Sequence, residues 1–132
     1  MQNGFLTITT AVDGQESRLS CRAEMEFTAL SVRIRYRDEN AEVTISVDGN
    51  HAVIERIGDY GLYLPLQENA RTEGMLSIGG NVGSVEIDTQ KLVYSVGKNT
   101  LLMQIQYTLW FGAEKQEMRL RIHAKQNHSE EK

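Results

Sequence analysis

Apolar and polar residues alternate along most of this chain, and that period of two restricts the fold more than any other feature. In the segment LSVRIRYRD, residues 30–38, Val32, Ile34 and Tyr36 would share one face of an extended strand. The opposite face would carry three arginines: Arg33, Arg35 and Arg37. Because successive side chains of a strand point to opposite faces of its sheet, the pattern predicts strands with one buried face.

Turn signals separate the alternating segments at regular intervals. Short stretches containing Gly or Asn recur at 13–14, 38–41, 48–51, 58–61, 79–81, 97–99 and 112–115. Many short strands joined by such turns indicate an all-β sandwich or barrel. The length of 132 residues favours a single domain with one core. We therefore predict a single-domain, all-β antiparallel meander.

Two hairpins follow from requiring both strands to place apolar residues on one face. A two-residue Asp-Gly loop, a strong hairpin signal, sets Ile8 opposite Leu19. A four-residue loop at 38–41 sets Ile34 opposite Ile45.

Two further hairpins are predicted with four-residue loops. The first, at 88–91, pairs Ile87 with Leu92. The second, at 112–115, pairs Tyr107 with Leu120.

The arginines of LSVRIRYRD have two interpretations: a docking site for phosphate or nucleic acid, or a solvated face neutralised by neighbouring carboxylates. A connection near 27–30 that sets Glu26 opposite Arg33 also sets Glu24 opposite Arg35. Opposite charges directly across an antiparallel pair stabilise it by about 0.2–1 kcal/mol. We therefore favour the solvated face.

Composition restricts the partners and the compartment. The pI near 5.4 argues against nucleic acid as a partner, because phosphate binding needs concentrated positive charge. No apolar run approaches the roughly 20 residues of a membrane helix, and residues 1–15 do not resemble a signal peptide. The lone Cys21 fits a reducing compartment. We expect a cytoplasmic protein with no membrane partner, a barrel domain at 1–125 and a polar, disordered tail at 126–132.

A family resemblance then narrows the fold. The ordered segments YRDENAEVTISVDG, VIERIG, EGMLSIGG, GSVEIDTQKLVYS and LLMQIQYTLWF resemble the YwiB-like family of small bacterial proteins of unknown function, over roughly residues 5–124. The most specific pieces are Arg56 with Gly58, and Asp88 with Thr89. The resemblance implies a calycin-like, lipocalin-like β-barrel of about 8–10 strands. It implies no catalytic residue.

Four residues are candidates for binding a ligand inside such a barrel. Alternation places Arg56 on the inward face, where it would anchor a carboxylate or phosphate, form a salt bridge with Asp59 or Glu73, or turn outward at a bulge. The phenols of three inward tyrosines would line a polar corner of a cavity, or would simply belong to the core: Tyr36, Tyr94 and Tyr107.

Metal and cysteine chemistry find no support in the sequence. The three histidines are His51, His123 and His128. None of them has a second potential ligand at a sequence spacing typical of zinc sites. Cys21 lies on an inward position without a neighbouring base. We predict no metal, no cofactor and no catalytic residue.

Three functions remain open. The first is a non-catalytic binding module for a small, partly apolar ligand in the barrel, with an anionic group bound by Arg56. The second is a structural or protein–protein interaction domain acting as a homodimer through the outer face near Trp110. The third is an enzyme with its site at the barrel mouth.

Overall fold

The computed structural model describes residues 2–127, which form a closed antiparallel barrel of ten strands. The strands are β1 (Gln2–Val12), β2 (Gln15–Phe27), β3 (Ser31–Asp38), β4 (Ala41–Asp48), β5 (His51–Ile57), β6 (Tyr60–Gln67), β7 (Ala70–Ile78), β8 (Asn81–Gly97), β9 (Thr100–Phe111) and β10 (Glu114–Gln126). They follow chain order around the barrel, and β1 closes it by pairing with β10. The predicted all-β meander, closed into a barrel, is confirmed.

The first two predicted hairpins are confirmed in register. Ile8 lies opposite Leu19, and Ile34 lies opposite Ile45. Asp13 and Gly14 both have positive φ, as the two central residues of a type I′ hairpin turn require. The twist of that turn matches the strands that it joins.

Glutamates lie opposite the arginines of β3, as predicted. Glu24 lies opposite Arg35, and Glu26 lies opposite Arg33. Arg35 Nη2 is 2.6 Å from Glu24 Oε1, and its Nε lies 3.8 Å from Glu42 Oε2. The hydrogen bond from Arg35 lowers the pKa of the Glu24 carboxyl. All three arginines are exposed with carboxylates opposite them, as predicted, and Arg35 is the one that forms ion pairs within residues 2–127.

The hairpin predicted at 88–91 is wrong. β8 continues through this segment as one strand, with a register shift between Thr89 and Lys91 that leaves Gln90 as an extra residue. This bulge moves the inward positions from odd to even numbers, so Ile87 and Leu92 are both buried. A four-residue turn at 88–91 would also move the inward positions from odd to even numbers. The alternation alone therefore does not distinguish a hairpin from a bulge.

The last predicted hairpin has the right strands and the wrong register. Its turn consists of Gly112 and Ala113 alone, so Tyr107 lies opposite Met118 instead of Leu120. Gly112 has a φ of 62°, a conformation that glycine adopts without steric cost. A shift of two residues keeps every side chain on its face, and the inward positions of β9 and β10 are therefore as predicted.

Apolar side chains fill the barrel interior. Its most deeply buried large members are Leu6, Met25, Ile34, Leu64, Leu66, Ile87, Leu101, Met103, Ile105 and Ile122. They come from both ends and from opposite walls of the barrel, so they form one continuous core.

The ends of the described chain are held by backbone contacts. β10 continues to Gln126, one residue beyond the predicted domain boundary, and the Asn127 N–H donates to the Asn3 carbonyl at 2.9 Å. The rest of the predicted tail, 128–132, lies outside the described residues. Within residues 2–127 no helix has the length and apolarity needed to cross a membrane.

The bulge predicts an unusual tolerance to deletion. Removing Gln90 should leave a cooperatively folding barrel, because Thr89 and Leu92 keep their inward faces once the extra residue is gone. Removing Gln104 from the regular strand β9 should abolish cooperative unfolding, because half of its buried side chains would turn outward. Urea unfolding followed by circular dichroism measures both variants. Equal loss of the transition in both would contradict the assigned bulge.

Candidate functional site

Two of the predicted ligand residues lie near each other inside the barrel. Tyr107, on β9, is 3% exposed, and Tyr36, on β3, is partly buried against the same core. Burial raises the pKa of both phenols, and the neighbouring Tyr36 raises the pKa of Tyr107 further. Both phenols are therefore neutral at physiological pH and behave as core side chains with a polar tip.

Arg56 lies on the inward face of β5, and its own turn supplies its partners. Its Nη2 lies 2.9 Å from Asp59 Oδ1, its Nη1 donates to the Tyr60 carbonyl at 2.8 Å, and its Cζ is 3.7 Å from the centre of the Tyr60 ring. The hydrogen bond lowers the pKa of the Asp59 carboxyl. The salt bridge with Asp59, one of the alternatives for Arg56, is present.

The four predicted residues do not converge on one site. The charge of Arg56 acts on the phenol of Tyr36, so Arg56, Tyr36 and Tyr107 belong to one region of the interior. Tyr94 lies beyond the bulge of β8, opposite Met103. Thr89 is fully buried beside Tyr107, and its Oγ1 has no hydrogen-bond partner within the described chain.

A cavity of about 560 Å³ lies on the outer face of the barrel, over β1. We call it the β1 groove. Its floor consists of two short side chains of β1, and its two sides come from the adjacent strands β2 and β10: Thr7, Thr9, Arg18, Ser20, Arg121 and His123. Val93, Leu102 and Gln104 extend it over β9 to β8, where Tyr94 also borders it.

The sheet register places two arginines symmetrically about the floor of the groove. Thr9 pairs with Arg18 on one side and with Arg121 on the other. Because neighbouring strands lie about 4.8 Å apart, the Cα atoms of the two arginines are about 10 Å apart on the same face. Two long guanidinium side chains at that separation can converge on one group above a threonine.

These arginines have no carboxylate partner. The ion pairs found within residues 2–127 use Arg35, Arg56, Arg71 and Lys115. The residues that line the β1 groove include no Asp or Glu. The groove therefore combines cationic sides with a neutral, hydroxyl-bearing floor.

A second row of basic side chains lies on β10. In the β3 row Arg35 is paired with Glu24 and Glu42, whereas the outward positions of β10 in MRLRIHAK carry basic side chains without an intervening acid. The alternation of β10 can be read from the sequence. The strand that lies beside β10 cannot, because β1 pairs with β10 only when the barrel closes.

Two cationic side chains lie near the indole ring of Trp110. Arg71 Cζ is 6.0 Å and Lys115 Nζ is 5.5 Å from the ring centre. In the part of the chain that the structure describes, no group of three or more His, Cys, Asp or Glu side chains is placed to hold a metal ion.

Comparisons with known proteins agree with this fold. A family model described as a domain of unknown function (DUF1934) matches residues 6–122. The crystal structure of the ywiB protein from Bacillus subtilis is similar, with a TM-score of 0.79, 12% sequence identity, and coverage of 96% of this chain and 93% of that one. No curated protein matches the chain. The resemblance to the YwiB-like family is confirmed, and the structural likeness at this identity concerns the fold.

The buried phenols predict a loss of stability at alkaline pH. The folded pKa of Tyr107 is raised above its unfolded value near 10, so its contribution is complete below pH 10 and is lost as pH rises further. Tyr107→Phe should reduce the alkaline decline in the free energy of unfolding by up to about 1.4 kcal/mol per pH unit. Urea unfolding between pH 8 and about pH 11 measures it. Tyr63→Phe, at a 39% exposed tyrosine, is the control and should match the wild type.

Proposed function

The chain belongs to DUF1934, a family named for a domain of unknown function, and we propose that it is a non-catalytic binding module for a small, partly apolar, anionic ligand. The ligand binds in the β1 groove rather than in the barrel. The observation that supports this proposal is the placement of Arg18 and Arg121 on either side of Thr9 without a carboxylate partner among residues 2–127. Apolar side chains already fill the interior, which disfavours a ligand there.

Anion binding follows from the donors of the groove. Each guanidinium offers a planar fork of N–H donors that matches carboxylate and phosphate oxygens. The hydroxyl groups of Thr7 and Ser20 lie 3.3 Å apart and add neutral donors. This pair occupies the next outward position along β1 and β2 from the pair Thr9 and Arg18. An anion bound above Thr9 would neutralise two like charges that otherwise repel.

The apolar part of the ligand has a surface of its own. Val93 and Leu102 are 44% and 56% exposed at the β8–β9 side of the groove. The cavity volume of about 560 Å³ lies within the range of about 300–1,000 Å³ that is typical of small-molecule sites. A ligand with an anionic head and an apolar body therefore fits both ends of the groove.

The chemistry of the groove favours binding over catalysis. Its ionisable side chains are Arg18, Tyr94, Arg121 and His123, and arginine keeps its proton at neutral pH. General acid–base catalysis by His123 would need an orienting partner or a nucleophile activated beside it. The absence of Asp and Glu from the lining removes the usual orienting groups.

The proposal includes a calycin-like fold assignment and a cytoplasmic location for the protein. A closed up-and-down antiparallel barrel is the architecture of lipocalins, which supports a calycin-like assignment. The single cysteine, Cys21, fits a reducing compartment and supports a cytoplasmic location.

A homodimer is the second candidate, and a different surface supports it. Tyr63, Met75 and Val82 lie close together on the outer faces of β6, β7 and β8, and Met75 and Val82 are 52% and 68% exposed. Met75→Arg should convert a dimer to a monomer in size-exclusion chromatography with light scattering. A monomeric wild type would contradict this candidate and leave the groove proposal intact.

Phenyl phosphate tests the β1 groove directly, because it joins an apolar ring to an anionic group. Calorimetric titration should detect binding to the wild type, and Arg18→Gln with Arg121→Gln should weaken it at least tenfold, since charged hydrogen bonds contribute about 1.5–3 kcal/mol each. Arg33→Gln with Arg37→Gln removes the same charge from β3 and should leave the affinity unchanged. Equal losses in both variants, or no binding by the wild type, would contradict the proposal.

A further inference from the structure

The β1 groove continues into neighbouring cavities along the same face. A second cavity of about 280 Å³ shares Gln104 and Arg121 with it and adds Lys91, Gln106 and Arg119. A third, of about 440 Å³, shares Gln106 and Arg119 with the second and has one carboxylate, that of Glu117, in its lining. The three cavities form one continuous track beside β10, longer than a small ligand requires.

Basic side chains follow this track. Six outward residues of β2, β8 and β10, which we call the basic band, are Arg18, Arg22, Lys91, Arg119, Arg121 and Lys125. None of them takes part in an ion pair within residues 2–127. They are six of the 14 Lys and Arg residues, and the outward carboxylates next to them on β2 and β10 are Glu16, Glu24 and Glu117. A protein with a formal net charge of −4 thus carries one strongly cationic strip.

The spacing within the basic band is regular. Arg119, Arg121 and Lys125 occupy outward positions of one strand, in which alternate residues lie about 6.8 Å apart. His123 completes the row and borders the β1 groove. A linear array of cations at regular intervals is complementary to a linear array of anions, such as a phosphodiester backbone.

An exposed aromatic ring lies inside the basic band. Phe5, on β1, is 59% exposed and pairs with Arg22 on one side and Lys125 on the other. An exposed phenylalanine between two cations is the arrangement that stacks an unpaired base while its phosphates contact the flanking charges. In a duplex the bases are stacked on each other and unavailable to Phe5.

We propose that the natural ligand of this face is a single-stranded nucleic acid, whose phosphates follow the basic band and one of whose bases stacks on Phe5. This inference rests on the proposed anion-binding function of the β1 groove and names its ligand class. An acidic peptide would be attracted by the same cations and lacks the base that Phe5 fits. The neutral donors between the cations, Thr9, Gln104 and Gln106, add contacts to phosphate, sugar or base.

Fluorescence anisotropy with a labelled oligouridylate of about 12 nucleotides tests the proposal. Between about 50 and 200 mM salt, five or six phosphate contacts should give a slope of about −4 for the logarithm of the association constant against the logarithm of the salt concentration. Arg121→Gln should weaken binding and reduce the steepness of that slope by about 0.7. Arg33→Gln, on β3 opposite Glu26 and outside the basic band, should change neither.

Phe5→Leu separates stacking from charge. It should weaken oligonucleotide binding at least about fivefold and leave the salt slope unchanged, because it removes a ring and no charge. Tyr63→Leu, at an exposed aromatic residue outside the basic band, should have no effect. Unaltered melting temperatures would show that all variants remain folded.

The outcomes separate this inference from the proposed function. Binding of phenyl phosphate without binding of the oligonucleotide overturns the inference and leaves the binding module intact. A duplex that binds as tightly as the single strand, or polyglutamate that competes equally with no effect of Phe5→Leu, also overturns it. Failure of both phenyl phosphate and oligonucleotide overturns both proposals.

Discussion

The pairing of β1 with β10 is the contact on which the rest of this structure depends. It joins strands from the two ends of the chain and removes both free edges, so the backbone groups of both strands are paired on each side. The Asp13 N–H donates to the Glu117 carbonyl at 2.8 Å, and the Asp13 carboxylate accepts from the Glu117 N–H at 2.9 Å. Closure also creates the β1 groove, because only closure brings Arg121 to the same strand that carries Arg18 beside Thr9.

A filled interior follows from the same closure. Every second side chain is directed inward from ten strands, and their apolar members occupy the enclosed space. The polar groups among them, such as Tyr107 and Thr89, are isolated within this core. A barrel packed in this way has little room inside, and its grooves lie on the outer face, where strand twist and unequal side-chain lengths form them.

The sequence predicted the class of fold and most inward faces, because alternation is a local property. It could not distinguish a bulge at Gln90 from a hairpin, since both change the phase of the alternation by one residue. It also could not distinguish a two-residue turn at Gly112 from a longer one, because a shift of two residues preserves every face. The candidate site was harder to predict: the Asp-Gly hairpin places Arg18 opposite Thr9, whereas Arg121 becomes a neighbour of Thr9 only through a contact between distant strands.

Net charge averages over the whole surface, whereas the barrel places Arg119, Arg121 and Lys125 in one outward row of β10. The carboxylates of Glu16, Glu24 and Glu117 lie at the ends of the rows that carry the basic band. Like charges directly opposite each other destabilise a sheet, and the chain avoids such pairs by placing neutral residues of β1 and β9 beside each cation of β10: Thr9 and Gln104 flank Arg121, and Phe5 and Thr100 flank Lys125. This spacing lowers the repulsion without supplying any counter-charge. Mutual repulsion among these cations lowers the stability of the free protein, and an anion bound beside them would relieve that repulsion. A surface that binds anions is expected to combine these two properties.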